Sequence, residues 1–181
     1  GATIHVGPPV QRKRSSSFFD TDFDDFFGDT RAPTEFIDVK EKAFLAISTS
    51  KNEIYVGEGV TTALSFYVAE DNEAEMQFYD LQNQLMVLIK KIKPGHCWEE
   101  NFMIQQVEGQ PVDIHGKRYM QYKLYEATFY PLTAKDISFP SLDLKLIKYK
   151  VAKNPSFFGN NRQEDFKTFK SAYKKVKVKE L

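Results

Sequence analysis

Three aspartates at alternate positions, Asp20, Asp22 and Asp24, form the first cluster whose residue types and spacing could do chemistry. That spacing supplies the opening hard-oxygen ligands of a calcium loop, but the position that needs glycine holds Asp25 and the closing bidentate acid is Arg31. The run from Asp20 to Asp29 therefore reads as a solvated acidic linker. His96 and Cys97 are adjacent and could suggest a thiolate–imidazole pair. Neighbours on a strand point to opposite faces, so the adjacency works against contact. Glu99 and Glu100 are separated by the same argument and would not share a substrate. His5, His96 and His115 have no carboxylate at a spacing that suggests a triad, and no glycine-rich phosphate loop exists. A single cysteine excludes an internal disulfide framework and a cysteine-based zinc site. The expectation is a protein that is not an enzyme, with no cofactor and no metal.

The elements that position these residues follow from hydrophobic periodicity. Ala43 to Ser48, Ile54 to Val56 and Val60 to Val68 alternate like sheet, with turns at Lys51-Asn52 and at Gly57-Glu58-Gly59. Phe78, Leu81, Leu85, Leu88, Ile89 and Ile92 then fall at helical spacing. Asn72 with Glu75 resembles a capping box and Pro94-Gly95 closes the segment, which predicts an amphipathic helix over about 73–93. Its acids (Glu73, Glu75, Asp80) lie early and its bases (Lys90, Lys91, Lys93) late, as the helix dipole prefers. Its Phe78, Leu81, Leu85, Leu88 and Ile92 stripe should cover a sandwich, leaving Gln82, Gln84 and Lys90 in solvent.

Downstream, Trp98 to Ile104 reads as a strand, His115-Gly116 as a turn, and Tyr119 to Tyr130 as a long strand that Pro131 ends. Leu142, Leu144 and Leu146 alternate with charged residues. After a loop at 152–169, so do Val176 and Val178, whose flanking lysines read as the solvent face of an edge strand. Seven or eight short strands with one helix predict an all-β, immunoglobulin-like antiparallel β-sandwich with an inserted helix. Trp98 enters the sheet where the helix ends, which predicts a core anchor packed on Leu85 and Ile89.

With 181 residues, Lys+Arg 25 against Asp+Glu 25 and 41% hydrophobic residues, the chain can bury a sizeable core and carries no net charge that favours nucleic acid or an anionic membrane. The longest apolar run, Leu85 to Ile89, is far short of a bilayer span. An offset of 139 residues matches Ser17-Phe18-Phe19 to Ser156-Phe157-Phe158, Phe27 to Phe166, and Ile37 to Glu41 with Val176 to Glu180. This divides the chain into 1–41, the tail of a preceding immunoglobulin-like repeat plus a Phe/Asp-rich segment, and 42–181, one complete repeat. Gly1 begins the chain without Met or a signal sequence, so it reads as a fragment.

Several stretches carry a resemblance. These are Glu53 to Glu58, Lys91-Ile92-Lys93-Pro94 with Cys97-Trp98-Glu99-Glu100, Gly116-Lys117-Arg118-Tyr119, and Phe129-Tyr130-Pro131 through Ala134 to Phe139-Pro140, followed by the Lys-rich strand ending in Leu181. Together they resemble the BatD family of Bacteroides aerotolerance, or oxygen tolerance, proteins. The chain departs from the family pattern at Lys135, Ser141 and Cys97. The resemblance implies tandem repeats at the periplasmic face of the inner membrane, a signal peptide and membrane anchor outside this fragment, and a link to stress response. It implies as partners the von Willebrand factor A-type and tetratricopeptide-repeat (TPR) proteins of the same operon, and it carries over no catalytic residue. Residues expected to be structural are Gly57, Leu85, Ile89, Trp98, Gly116, Tyr119, Pro131 and Pro140.

The expected function is a non-catalytic, extracytoplasmic protein–protein interaction module. Candidate partner-binding residues are Phe18, Phe19, Phe23, Phe26 and Phe27, interleaved with aspartates. Something should bury so many aromatics: either their own sandwich or a partner's apolar pockets. The alternative is a carbohydrate-binding sandwich, which would need Tyr119, Tyr122, Tyr125 and Tyr130 as an exposed coplanar row.

Overall fold

The computed structural model describes residues 4–6 and 35–181. Along the chain run β1 (Ile4–Val6), β2 (Phe36–Ile37), β3 (Ala43–Thr49), β4 (Glu53–Tyr55), β5 (Val60–Ala69), β6 (Met76–Phe78), the helix α1 (Leu81–Ile92), β7 (Cys97–Asn101), β8 (Gly109–Ile114), β9 (Lys117–Pro131), β10 (Ile137–Phe139), β11 (Asp143–Ala152), β12 (Arg162–Lys170) and β13 (Lys174–Lys179). One layer has the order β3-β5-β9-β7, with β8 beside the first half of β9. The other layer comprises the sheet β1-β6-β11-β12, with β2 beside β11, and the sheet β10-β13-β4. The described residues form a mostly antiparallel β-sandwich with one inserted helix, as the periodicity predicts. Two pairings, β1 with β6 and β13 with β4, are parallel.

Period-two alternation explains the core. Val60, Leu64, Phe66 and Val68 on β5 face Phe78, Leu144, Leu146 and Phe169 from the second layer, and all are buried. Phe66 makes edge-on contacts with Phe169 at 4.9 Å and Phe78 at 6.1 Å between ring centroids. Phe129 meets Phe139 at 5.9 Å and so joins the three-stranded sheet to the same core. Each such fully buried ring contributes about 1.5–3 kcal/mol through removal of apolar surface from water.

Four expected elements need correction. The helix starts at Leu81 rather than near 73, because Ala74, Met76 and Phe78 alternate inward and residues 76–78 pair with β11 as a strand. The Asn72–Glu75 capping box does not form: the Asn72 side chain accepts from the Lys42 backbone N–H and donates to the Ala74 carbonyl. Asp80 takes the N-cap position with φ 44° and no capping bond, and the first turn holds no acid, so only Lys90 and Lys91 at the other end suit the dipole. The expected loop at 152–169 is a loop only to residue 161. Arg162–Lys170 pairs along β11, and its charged, mostly exposed side chains hide the strand from a periodicity reading. The β7 strand stops at Asn101 rather than Ile104. Finally, β13 is the middle strand of its sheet, not an edge. Val176 and Val178 are buried, while Lys175 pairs with Asp136 at 3.2 Å and Lys179 with Glu53 at 2.9 Å.

Turn geometry matches the residue types. His115 and Gly116, at φ 50° and 79°, form a two-residue hairpin between β8 and β9, and Gly57 sits at φ 83° in the turn before β5. Both central residues of such a hairpin need positive φ, which glycine adopts without strain. Pro131 ends β9 and is buried, whereas Pro140 is exposed just beyond β10.

Candidate interaction surface

Strand β7 decides where its chemistry-bearing residues point. Cys97 and Glu99 face inward while Trp98 and Glu100 face out, so neither neighbouring pair shares a site. Burial pushes the Cys97 thiol up to about 11, which leaves it neutral and unreactive at physiological pH. His96 Nε2 lies 3.0 Å from the Lys135 carbonyl instead. Glu99 accepts a short hydrogen bond from the buried Tyr125 hydroxyl and pairs with Lys93 at 3.0 Å. Burial first, and then the Glu99 carboxylate, holds the Tyr125 phenol well above its usual range, so it is a permanent donor. Among the described residues no group of three or more His, Cys, Asp or Glu could hold a metal ion.

Trp98 is not a core anchor. Its side chain is 59% exposed, and it lies across β9 from Tyr130, with ring centroids 5.5 Å apart. The reason is parity: Cys97 takes the inward position and packs against the core, so the next residue must face out. Leu85 and Ile89, its expected partners, pack against the core from α1 without it.

A β-bulge sorts the tyrosines. Leu64 on β5 opposes Tyr125 while Ser65 opposes Lys123, leaving Leu124 as the extra residue on β9. One residue of slip exchanges the faces, so Tyr119 and Tyr130 share the outer face although their positions differ by an odd number. Tyr122 packs edge-on against Phe78 at 5.7 Å, and Tyr125 is 2% exposed. The coplanar, solvent-facing tyrosine row that a carbohydrate platform requires is not formed. Tyr119 instead joins Phe44 and Tyr67, whose rings stack at 4.8 Å, at one end of the outer face.

At the other end, Tyr130, Trp98 and Leu132 stand together. Leu132 is 67% exposed and its N–H donates to the His96 carbonyl, which extends the β7–β9 pairing by one residue. Tyr130 donates to Glu100 at 3.3 Å, so an exposed acid holds its ring beside the indole, with the two ring planes tilted by 46°. This is a surface aromatic pair across the edge strand β7 and its neighbour β9, with Leu132 exposed just beyond β9 and Glu100 on its rim.

A concavity lies between α1 and residues 102–108. It encloses about 990 Å³ and is lined by Leu85, Met86, Ile89, Met103, Leu124 and Tyr125, among others. Gln84, expected in solvent, positions one wall: its side chain accepts from the Lys145 N–H at 2.9 Å and donates to the Lys145 and Tyr79 carbonyls. The helix is thus tied to β11 by an amide, while Leu81, Leu88 and Ile92 are buried in the shared core.

Sequence reasoning missed a buried charge. Lys148 is 5% exposed, bonds Glu41 at 2.6 Å and pairs with Asp38 at 3.0 Å. A signal existed, because Lys148 continues the inward parity of Leu144 and Leu146. The Lys148 hydrogen bond lowers the Asp38 carboxyl below its usual range. For Glu41, burial pushes the carboxyl up but the Lys148 bond and positive neighbours prevail and hold it down. Burial likewise opposes the Lys148 charge, yet its two carboxylates raise its affinity for the proton. With the Lys153–Glu35 pair at 3.4 Å, this cluster holds residues 35–41 to the sandwich.

Phe18, Phe19, Phe23, Phe26 and Phe27 lie outside the described residues. Of their matches at the 139-residue offset, Phe157 and Phe158 are 89% and 65% exposed and Phe166 is 41% exposed on β12. No protein-family model matches the chain, and no curated protein does either.

Proposed function

We propose that this chain is a non-catalytic protein–protein interaction module of a membrane-anchored BatD-like protein. In this reading it stands at the periplasmic face of the inner membrane, in an envelope complex linked to aerotolerance and stress. The resemblance read in its motifs supports the setting. The observation that carries the reading is the exposed Trp98–Tyr130–Leu132 cluster, since tryptophan and tyrosine in an apolar surface patch are the residue types that dominate protein interfaces. The partner is a von Willebrand factor A-type or TPR envelope protein of the same operon. Recovery of such proteins with the intact, anchored protein from native envelopes, with and without Trp98→Ala and Tyr130→Ala, is the test.

A further inference from the structure

We propose that the free edge of β7 takes an extended, antiparallel strand from the partner protein, one that sets an apolar side chain opposite Trp98 and a lysine or arginine opposite Glu100. The inference rests on the reading that the Trp98–Tyr130 cluster binds a protein, and it adds how the two backbones join.

Backbone parity makes the edge. β7 ends its sheet, with β9 on one side and no strand on the other among the described residues. The His96 carbonyl accepts from the Leu132 N–H at 2.9 Å, and the Phe102 N–H donates to the Glu126 carbonyl at 3.0 Å. Trp98 and Glu100, between them, therefore turn their N–H and C=O groups to β9, while those of Cys97, Glu99 and Asn101 point away from it. Pro131, which has no N–H, lies opposite Cys97, where none is needed. The outward row of donors and acceptors is unpaired among the described residues, and an added strand satisfies it with main-chain bonds.

The neighbouring edge is blunted where this one is open. β8 lies beside the first half of β9, and its two-residue hairpin makes Ile114 and Lys117 a bonded pair, so Val112 and Gln110 face β9 and Pro111 faces away. The N–H that Pro111 lacks breaks the outward row of β8, a common protection of edges. On β7 all three outward residues keep their N–H.

Charge and shape select the occupant. Across the free edge, Trp98 and Glu100 fall in the non-hydrogen-bonded pairs of an antiparallel strand, where opposing side chains come closest. The indole is 59% exposed, and Glu100 accepts only from the Tyr130 hydroxyl, with no cation paired to it among the described residues. Glu99 already has Lys93 at 3.0 Å. An apolar residue beside a cation complements this edge. A second copy does not: pairing β7 with itself about Glu99 sets the two Glu99 carboxylates opposite each other, and like charges in that position are destabilising.

Proline tests the outward N–H. Asn101→Pro removes one outward donor and leaves the bonds to β9 in place, whereas Asn101→Ala removes the same side chain and keeps the donor. In the intact, anchored protein from native envelopes, Asn101→Pro should lower recovery of the von Willebrand factor A-type or TPR proteins by about tenfold at unchanged melting temperature, and Asn101→Ala should not. Hydrogen exchange decides the matter if the proline variant misfolds: in the recovered complex, the amides of residues 97–101 should exchange about tenfold or more slowly than in the free protein. Partners whose recovery depends on Trp98 and Tyr130, but which leave exchange over 97–101 unchanged, would overturn the added strand and leave the cluster reading standing. Failure of the wild type to recover any of those proteins would overturn both. Protection that rises with the concentration of the purified protein alone would overturn the proposal too, by making a second copy the occupant.

Discussion

Trp98 and Lys148 invert what their residue types suggest, since the large apolar ring is outside and the cation is inside. The exposed indole sets the first prediction: Trp98→Ala should lower stability by less than about 1 kcal/mol, against the 3–5 kcal/mol expected of a buried ring. Urea unfolding measures it, and a loss in the larger range would place the indole in the core. The buried lysine sets the second. Removing Lys148 by substitution to Met leaves the Glu41 carboxylate nearly enclosed, with Lys40 and Lys167 at 3.9 and 3.8 Å as its remaining cations. The cost should be about 2–3 kcal/mol, below the full value for a broken buried pair because those cations remain. The pH dependence has a definite sign. Glu41 and Asp38 titrate below their ordinary 4.5 and 3.8, so their stabilisation is complete above those values and is lost as pH falls through the depressed ones. Lys148 titrates above its ordinary 10.5, so its contribution persists through neutral pH and is lost only in stronger base. Glu41→Gln should therefore differ most from the wild type near pH 7, and the two unfolding curves should converge only as pH falls through the depressed Glu41 value. A gap that stays constant into acid would remove the ion pair from the account.

Helix α1 shows how much was legible at the scale of elements. Its stripe Leu81, Leu85, Leu88 and Ile92 was readable and packs as expected, because 3.6-residue spacing has one face to bury. Its start was not, since Phe78 fits both the helical period and the alternation of β6, and only pairing with β11 decides between them. β12 was hidden for the opposite reason: Arg162 to Lys170 buries only Phe169, so no pattern marks it. The bulge at Leu124 was beyond reach of a parity argument, because it resets parity within one strand, and the expected tyrosine row failed there. Gln84 is the residue whose role changed most. Two of its three hydrogen bonds to backbone, both with Lys145, fasten α1 to β11, so Gln84→Ala should destabilise the domain by about 1–2 kcal/mol. Chemical unfolding of that variant beside Gln82→Ala, which has an exposed side chain and should be nearly silent, checks it.

At the scale of the whole molecule, the core that the described residues form from three sheets and one helix leaves its chemistry on the outside. Two inward-facing polar groups, Tyr125 bonded to Glu99 and Lys148 paired with its two carboxylates, act as fasteners. Among the exposed features are the Trp98–Tyr130 pair with Leu132 at one end of the outer face and the groove beside α1, on surfaces served by different residues. The two can be separated experimentally, because Trp98 and Tyr130 do not line the groove. The central claim is that the aromatic cluster binds a protein partner, and quantitative co-purification of the intact, membrane-anchored protein from its native envelope tests it most directly. The account predicts that Trp98→Ala with Tyr130→Ala lowers recovery of von Willebrand factor A-type or TPR partners by about tenfold or more at unchanged melting temperature, as loss of a hot spot does. Undiminished recovery of the same partners by the folded double variant would contradict it.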